Sequence, residues 1–157
     1  MATRIDHKFV HPELSYDAEP NFQPCIKISV LFKKLESVSY ETFFLHWRTV
    51  HADLTLATQA FRDNILRYTQ CSQTPELKEK AKSMGNVLDF DACAQLWTRS
   101  WEDWEKFSTS PEYAAALTED SGRFLQMPPT YMVCNENLIV GDASKQIGGK
   151  DGLSFAK

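Results

Sequence analysis

Residues 39–61 carry the pattern that most restricts the fold, because they combine a helical apolar stripe with a histidine on the same side. At about 100° per residue, the large apolar residues of this stretch fall within roughly 60° of Trp47 on a helical wheel. They are Tyr40, Phe43, Phe44, Val50, Leu54 and Phe61. His51 falls at about 40° and is predicted to face inward. An inward imidazole is either a hydrogen-bonded core residue or the acid/base group of a pocket, and the wheel leaves both interpretations open.

Extended segments flank this helix on both sides. Residues 25–33 alternate between apolar and polar types, which predicts a half-buried strand before the helix. Ser37 or Ser39 then offers an N-cap for the helix. Three further strands are predicted at 64–72, 88–98 and 130–140. A short charged helix that begins at Pro75 separates the second and third strands, and residues 100–125 contain two helical pieces.

The resulting order is β-α-β-(short α)-β-α-β, which predicts a ferredoxin-like α+β fold. In this split βαβ arrangement, an antiparallel four-stranded sheet has helices on one face. The other face also carries apolar residues, so we expect a C2 homodimer that packs two such faces together. The domain is expected to span 25–141, after an irregular N-terminal arm at 1–24 and before a flexible tail at 142–157.

The composition argues against several kinds of partner. A formal charge of -4 over 157 residues gives no broad attraction to nucleic acid or to anionic lipid. Neither a membrane span, which needs roughly 20 apolar residues, nor a secretory signal is found, so a soluble cytoplasmic protein is expected. The cysteines lack metal-ligand spacing and are expected to be reduced, with no metal bound. They are Cys25, Cys71, Cys93 and Cys134.

Polar groups among many aromatic residues are the remaining chemical signal, because the sequence contains no phosphate-binding loop, serine-hydrolase elbow or zinc-protease motif. Such a set is typical of a small-molecule pocket. The predicted substrate contacts are Tyr68, Trp47, Trp97, Trp101, Phe44 and Asp91. Aromatic residues at strand or helix spacing also pack in cores, and Asp120 is either a helix-ending residue or a carboxylate that orients a histidine. His46 lies at the edge of the stripe.

The segment FFLHWRTVHADL, which follows the strand IKISVLFKK, resembles the signature of the EthD-domain family, and PEYAAALTEDSGRFL resembles its closing segment. The resemblance implies a dimeric α+β barrel that is most similar to small fungal enzymes of aromatic polyketide pathways. Those enzymes are decarboxylases, dehydratases or related lyases without a metal or organic cofactor. The resemblance also implies that His51 is the principal acid/base residue, with His46 and Asp120 as secondary candidates. At Ala52–Asp53 the chain departs from the small residue and proline of many members.

The leading hypothesis is a cofactor-independent lyase that decarboxylates an aromatic polyketide carboxylic acid in fungal secondary metabolism. His51 would supply the proton, and Tyr68 would hydrogen-bond a neighbouring substrate oxygen. A neutral His51 that removes a proton would instead begin a dehydration or a cyclisation. A cofactor-free monooxygenase of anthrone-like substrates is a further alternative, and a non-catalytic polyketide-binding protein is the alternative from another class.

Overall fold

The computed structural model describes residues 2–155. Met1, at the start of the predicted arm, and Ala156 and Lys157, at the end of the predicted tail, lie outside the described residues. The sheet consists of strands β1 (Ile26–Phe32), β2 (Arg67–Ser72), β3 (Ala92–Thr98) and β4 (Thr130–Cys134). The strands are antiparallel in the order β2-β3-β1-β4. The fold is therefore ferredoxin-like α+β, as the element order predicts.

Serine and threonine caps determine where the helices begin. The helical elements are α1 (Tyr40–His46), a π-helical segment (Trp47–His51), α2 (Ala52–Ala57), α3 (Gln59–Asn64), α4 (Pro75–Ala81), α5 (Trp101–Ser108) and α6 (Pro111–Gly122), with 3-10 turns at Pro12–Leu14 and Lys82–Met84. In five helices a cap hydroxyl accepts a hydrogen bond from a backbone N–H of the first turn. These caps are Ser39, Thr58, Thr74, Ser100 and Ser110. Ser39 confirms one of the two predicted N-caps.

The predicted helix over 39–61 is interrupted in two places. The backbone turns extended at Thr58 (φ -74°, ψ 137°), so Phe61 belongs to a separate helix. Val50, predicted to face inward, is 47% exposed. A π-helical turn, closed by hydrogen bonds between residues i and i+5, holds more residues than an α-helical turn. After Trp47, a wheel drawn at 100° per residue therefore no longer gives the directions of the side chains correctly.

Aromatic packing between the sheet and the helices forms the main core. Trp47 stacks on Phe43 with ring centroids 6.3 Å apart, and Phe32 of β1 meets its indole edge-on at 5.2 Å. Burial of each such side chain contributes about 1.5–3 kcal/mol. The buried residues of this cluster are Phe32, Phe43, Trp47, Ile65, Ala92, Ala94, Leu96, Phe107, Phe124 and Leu125.

The tail at 142–157 was predicted to be flexible, but in the structure its described residues, 142–155, pack against the domain. Ile147 is buried against Cys25 and Trp97. The Asn21 side chain of the arm donates hydrogen bonds to the carbonyls of Lys150 and Asp151. These contacts join residues at least 50 positions apart, so the local Gly- and Ser-rich composition does not reveal them. The fourth strand is also shorter than predicted and ends at Cys134.

The outer face of the sheet, opposite the main core, contains an open apolar groove of about 680 Å³. Leu31 of β1 lies directly opposite Cys93 of β3, and Met132 of β4 lies opposite Ser29. The apolar loop and helix residues that line the groove are Leu77, Ala81, Met84, Leu88 and Phe90.

No helix within residues 2–155 is both long and apolar enough to cross a bilayer.

Candidate functional site

A cavity of about 480 Å³ lies between the helices and the inner face of the sheet. All four strands contribute to its floor, through Val30, Phe32, Tyr68, Ala94, Leu96 and Tyr131. The helical side includes Trp47, His51, Thr55, Trp104, Phe107, Tyr113 and Leu117. Among the described residues that line the cavity there is no Lys or Arg. Its size and apolar lining suit a small aromatic ligand.

His51, the last residue of the π-helical segment, brings a titratable group to the cavity wall. Its Nδ1 lies 2.8 Å from Oδ2 of Asp120. Because a carboxylate only accepts hydrogen bonds, Nδ1 carries the hydrogen, and Nε2 of the neutral ring keeps a free lone pair. Burial lowers the pKa of His51 below its ordinary value of 6.5, although the hydrogen bond and the charge of Asp120 act in the opposite direction. At neutral pH the ring is therefore a base.

Asp120, on α6, binds both helical histidines with its two carboxylate oxygens. Its Oδ1 lies 2.7 Å from Nε2 of His46. The side chains of Asp120, His51 and His46 are 7%, 12% and 23% exposed, so the three residues connect the cavity wall to a more exposed edge. The Phe124 ring packs against both imidazoles, with centroids 4.8 Å and 5.1 Å away.

The π-helical segment explains how one carboxylate reaches both histidines. On a regular α-helix, residues five positions apart point about 140° away from each other. Because a π-helical turn is wider, residues five apart come closer to alignment. The turn at 47–51 thus brings His46 towards the same side as His51, whereas the regular wheel separates them.

Two histidines and a carboxylate are also the ligand types of some mononuclear metal sites. In this site the nitrogen and oxygen atoms that could bind a metal are hydrogen-bonded to each other, because one nitrogen of each histidine lies within hydrogen-bond distance of the Asp120 carboxylate. Nowhere in the part of the chain that the structure describes do three or more His, Cys, Asp or Glu side chains form a group that could hold a metal ion.

Tyr68, on β2, supplies a hydrogen-bond donor to the same cavity. The Gln70 amide nitrogen donates to the backbone carbonyl of Trp47 at 2.9 Å. A carbonyl only accepts, which fixes this nitrogen as the NH2 group. The same NH2 donates to the Tyr68 hydroxyl at 2.8 Å, so the phenolic proton of Tyr68 is left for a ligand. Burial raises the pKa of Tyr68, and hydrogen bonds from Gln70 and Trp47 act against that shift.

Of the predicted site residues, the structure brings His51, Tyr68 and Trp47 to the cavity and attaches His46 and Asp120 behind His51. Trp97 and Trp101 lie elsewhere. Trp97 is buried on the outer side of the sheet, where Ile147 covers it, because strand residues alternate between faces. Trp101 is exposed at the start of α5, and its indole N–H donates to Glu105.

Asp91 and Phe44 are also away from the cavity. Asp91 is buried and binds the backbone N–H of Lys34, the Tyr40 hydroxyl and the Lys78 ammonium, so it joins the loop after β1 to α4. Phe44 packs on Phe43 at the side of the core. Thr55, Tyr113 and Tyr131 also line the cavity and were not predicted from the sequence. The alternation of β4 predicts only that Tyr131 and Val133 share one face, and the sequence does not indicate which.

A four-stranded ferredoxin-like sheet, with an apolar cavity and a histidine–aspartate pair between the sheet and the helices, defines a small α+β domain. The sequence model of the EthD domain matches residues 35–128, more than half of the chain, so the chain belongs to the EthD domain family. The matched span contains His46, His51 and Asp120. No curated protein matches the chain at a significant level.

Several solved structures share the fold. An EthD family protein from Bacillus halodurans is 21% identical, with 71% of this chain and 98% of that chain covered and a TM-score of 0.48. A hydroxynitrile lyase from Passiflora edulis is 11% identical, with 72% and 94% covered and a TM-score of 0.51. A dimeric ferredoxin-like protein of unknown function from Thermobifida fusca is 12% identical, with 80% and 99% covered and a TM-score of 0.50. At these identities, the likenesses to the Passiflora edulis and Thermobifida fusca proteins show the fold alone.

Proposed function

We propose that this protein is a cofactor-independent lyase that decarboxylates an aromatic polyketide carboxylic acid. The observation that carries the proposal is the position of His51, whose ring lines the apolar cavity while Asp120 holds its Nδ1. Tyr68 adds a hydrogen-bond donor in the same space. A proton acceptor and an oxygen-binding donor are the two groups that this reaction needs, because it moves one proton and leaves negative charge on a substrate oxygen.

The reaction begins with a β-keto or ortho-phenolic acid that gives its carboxyl proton to Nε2 of His51. Asp120 stabilises the resulting imidazolium, since a carboxylate 2.8 Å away favours the charged ring. The carboxylate then lies in an apolar space in which the imidazolium of His51 is its cationic partner and no Lys or Arg of the described lining adds to it, so the localised charge is disfavoured relative to the more delocalised transition state. As CO2 leaves, the electrons of the broken C–C bond form an enolate or phenolate, and Tyr68 donates to its oxygen. The imidazolium returns the proton to carbon, so RCOOH becomes RH and CO2.

His46 is a positioning residue in this scheme, because it contacts Asp120 and does not line the cavity. Its N–H holds one carboxylate oxygen, which leaves the other oxygen oriented towards His51. The partial exposure of His46 also connects the buried carboxylate with the protein surface.

The proposal is tested by incubating the purified protein with orsellinate-type and anthraquinone carboxylic acids, with and without oxygen, and weighing the products. We expect loss of CO2 at the same rate under both conditions. His51→Ala should lower turnover by about 10² to 10⁴, the usual contribution of a general acid or base. His11→Ala, on the exposed arm, serves as the control and should retain full activity.

Other products would contradict decarboxylation and identify the alternatives. Gain of oxygen with oxygen consumption indicates a monooxygenase, and loss of water indicates a dehydratase or a cyclase. Binding without conversion that survives His51→Ala indicates a binding protein. Unchanged turnover in a folded His51→Ala variant would contradict the role given to His51.

We also propose that the protein is a C2 homodimer that buries the outer-face groove. Support comes from the exposed apolar residues along this groove, because a sheet covered by helices on one face needs a cover for the other. Ile147 of the tail packs against Trp97, near one end of the sheet and away from the residues that line this groove.

A further inference from the structure

Tyr113 places a hydroxyl group in the cavity that the proposed decarboxylation does not use. We infer that Tyr113 donates a hydrogen bond to an uncharged oxygen on the ring system of the ligand, remote from the carboxyl group, and so selects oxygen-substituted polycyclic compounds. The inference rests on the proposed function for the orientation of the carboxyl group towards His51. It adds a specificity-determining residue and a substrate class to that site.

The Tyr113 ring is held firmly in place. It lies in the first turn of α6, where its backbone N–H donates to the Ser110 hydroxyl. The ring packs against Phe107 with centroids 4.5 Å apart. Such an aromatic contact, together with a helix cap, leaves the side chain little freedom to turn away from the cavity that it lines.

The Tyr113 hydroxyl lacks a protein partner within residues 2–155, although the ring is largely buried. No fully enclosed side-chain nitrogen or oxygen in this part of the chain is left without a hydrogen bond. The hydroxyl is therefore not fully enclosed, and its nearest phenol neighbours, Tyr131 and Tyr68, both belong to the floor of the cavity that Tyr113 lines. A polar group in such surroundings is normally hydrogen-bonded, so this hydroxyl can bond to water or to a ligand oxygen that enters the cavity.

The surroundings of Tyr113 favour an uncharged ligand group as the partner of its hydroxyl. Burial raises the pKa of Tyr113 to about 12, with the Tyr131 and Tyr68 phenols adding to the shift, so the hydroxyl stays protonated at neutral pH. Lys and Arg are absent from the described residues that line the cavity. A phosphate or sulfate would be strongly disfavoured here, because a buried charge needs a counter-charge. A phenol, ketone or methoxy oxygen needs only the hydrogen bond.

Helix geometry sets the length of the ligand. Tyr113 and Asp120 both lie on α6, seven residues apart, which is two turns and about 10 Å along the axis. The same side of the helix thus presents a hydroxyl near its start and the carboxylate that holds His51 near its end. We therefore expect a ligand that reaches from His51 to Tyr113 to be a flat molecule of two or three fused rings, since Asp120 holds His51 at one end of this separation.

The test uses uncharged naphthalenes, which cannot be decarboxylated, so its result is independent of the proposed reaction. Calorimetric titration of the full-length protein compares 2-naphthol with 2,6-dihydroxynaphthalene, 6-methoxy-2-naphthol and 6-methyl-2-naphthol. We expect the hydroxy and methoxy compounds to bind about three- to tenfold more tightly than the methyl compound, as one hydrogen bond predicts. Methoxy oxygen only accepts, so its advantage requires a donor on the protein.

Tyr113→Phe should abolish this preference while leaving the affinity for 2-naphthol unchanged, because the ring and its packing remain. Tyr16→Phe is the matched control, since the Tyr16 hydroxyl contacts only the Ile5 backbone within the arm, and it should retain the preference. Equal binding of the methyl and methoxy compounds by the wild-type protein would overturn the inference, even if Tyr113→Phe failed to fold. The inference would also be overturned if Tyr113→Phe kept the preference, or if none of the four compounds bound to the wild-type protein.

Discussion

At the scale of single residues, Asp120 controls the chemistry of the site. Its carboxylate fixes the hydrogen of His51 on Nδ1 and leaves Nε2 as the proton acceptor. Burial of the ring makes it a weaker base, and the nearby carboxylate partly offsets that effect. The balance favours a neutral His51 at neutral pH, and in the proposed reaction this ring becomes charged when the substrate supplies a proton.

Asp120→Asn should therefore lower the pKa of His51 further, because the negative charge that favours the imidazolium is lost. Titration of the His51 ring by NMR will measure this shift, which must be downward. Turnover should fall by about 10² or more, since the amide also permits the wrong ring tautomer. Asp53→Asn, an exposed acid on α2, should change neither quantity. An upward shift in Asp120→Asn would contradict the assigned direction.

Two substitutions of His46 test whether this residue orients Asp120 or itself transfers protons. In His46→Gln the amide can still donate to Asp120, so we expect turnover to fall about tenfold or less and the His51 titration to be nearly unchanged. His46→Phe leaves one buried carboxylate oxygen without its donor, which costs about 1–3 kcal/mol and should lower turnover more. Steady-state kinetics of both variants will test this order. Equal losses in the two variants would argue that His46 itself transfers protons.

At the scale of elements, the π-helical segment and the break at Thr58 shape the part of the helical layer that lies beside the cavity. Thr58 is buried, its hydroxyl accepts from the Phe61 N–H, and it donates to the Thr55 carbonyl. Glu112 of α6 accepts from the N–H groups of Gln59 and Ala60, so a second helix helps to cap α3. These bonds hold α3 against α6 beside the cavity.

Thr58→Ala removes the cap and leaves the Phe61 N–H unpaired in partly buried surroundings. We expect the free energy of unfolding to fall by about 1–2 kcal/mol. Ser39→Ala, which removes the cap of α1, should cost less, because water can replace the lost bond at the exposed Thr42 N–H. Urea denaturation of both variants at one protein concentration will compare the two values. A larger loss in Ser39→Ala would contradict this explanation.

At the scale of the whole molecule, the outer face of the sheet is the proposed dimer interface. Met132 lies on this face and is 61% exposed in the single chain. In the proposed homodimer it is buried, so Met132→Asp places a charge inside an apolar interface. We expect the wild type to sediment as a dimer and Met132→Asp as a monomer. Val10→Asp, on the exposed arm, is the control and should remain dimeric, and a monomeric wild type would refute the assembly.

Local patterns in the sequence predicted most of the fold. Alternation over 25–33 and 88–98, the caps, and Pro75 at the start of a short helix each depend on residues close together in the chain. The element order then restricted the topology, because a strand–helix–strand crossover in this fold has few arrangements. The inward position of His51 was also predicted, since it lies four positions after Trp47 and both the wheel and the structure place the two residues on one side.

Only the tertiary structure decided which groups act together. The wheel separated His46 from His51, and the π-helical turn and a carboxylate some seventy residues later brought them to one site. The sequence could place Trp97 on a strand but could not say which face of the sheet the helices would cover. Side-chain identity and spacing determine local conformation, whereas the partners of a buried polar group depend on long-range packing that no short pattern contains. The sequence by itself therefore determined the fold and its principal histidine, and the packing of α6 determined the chemistry of that histidine.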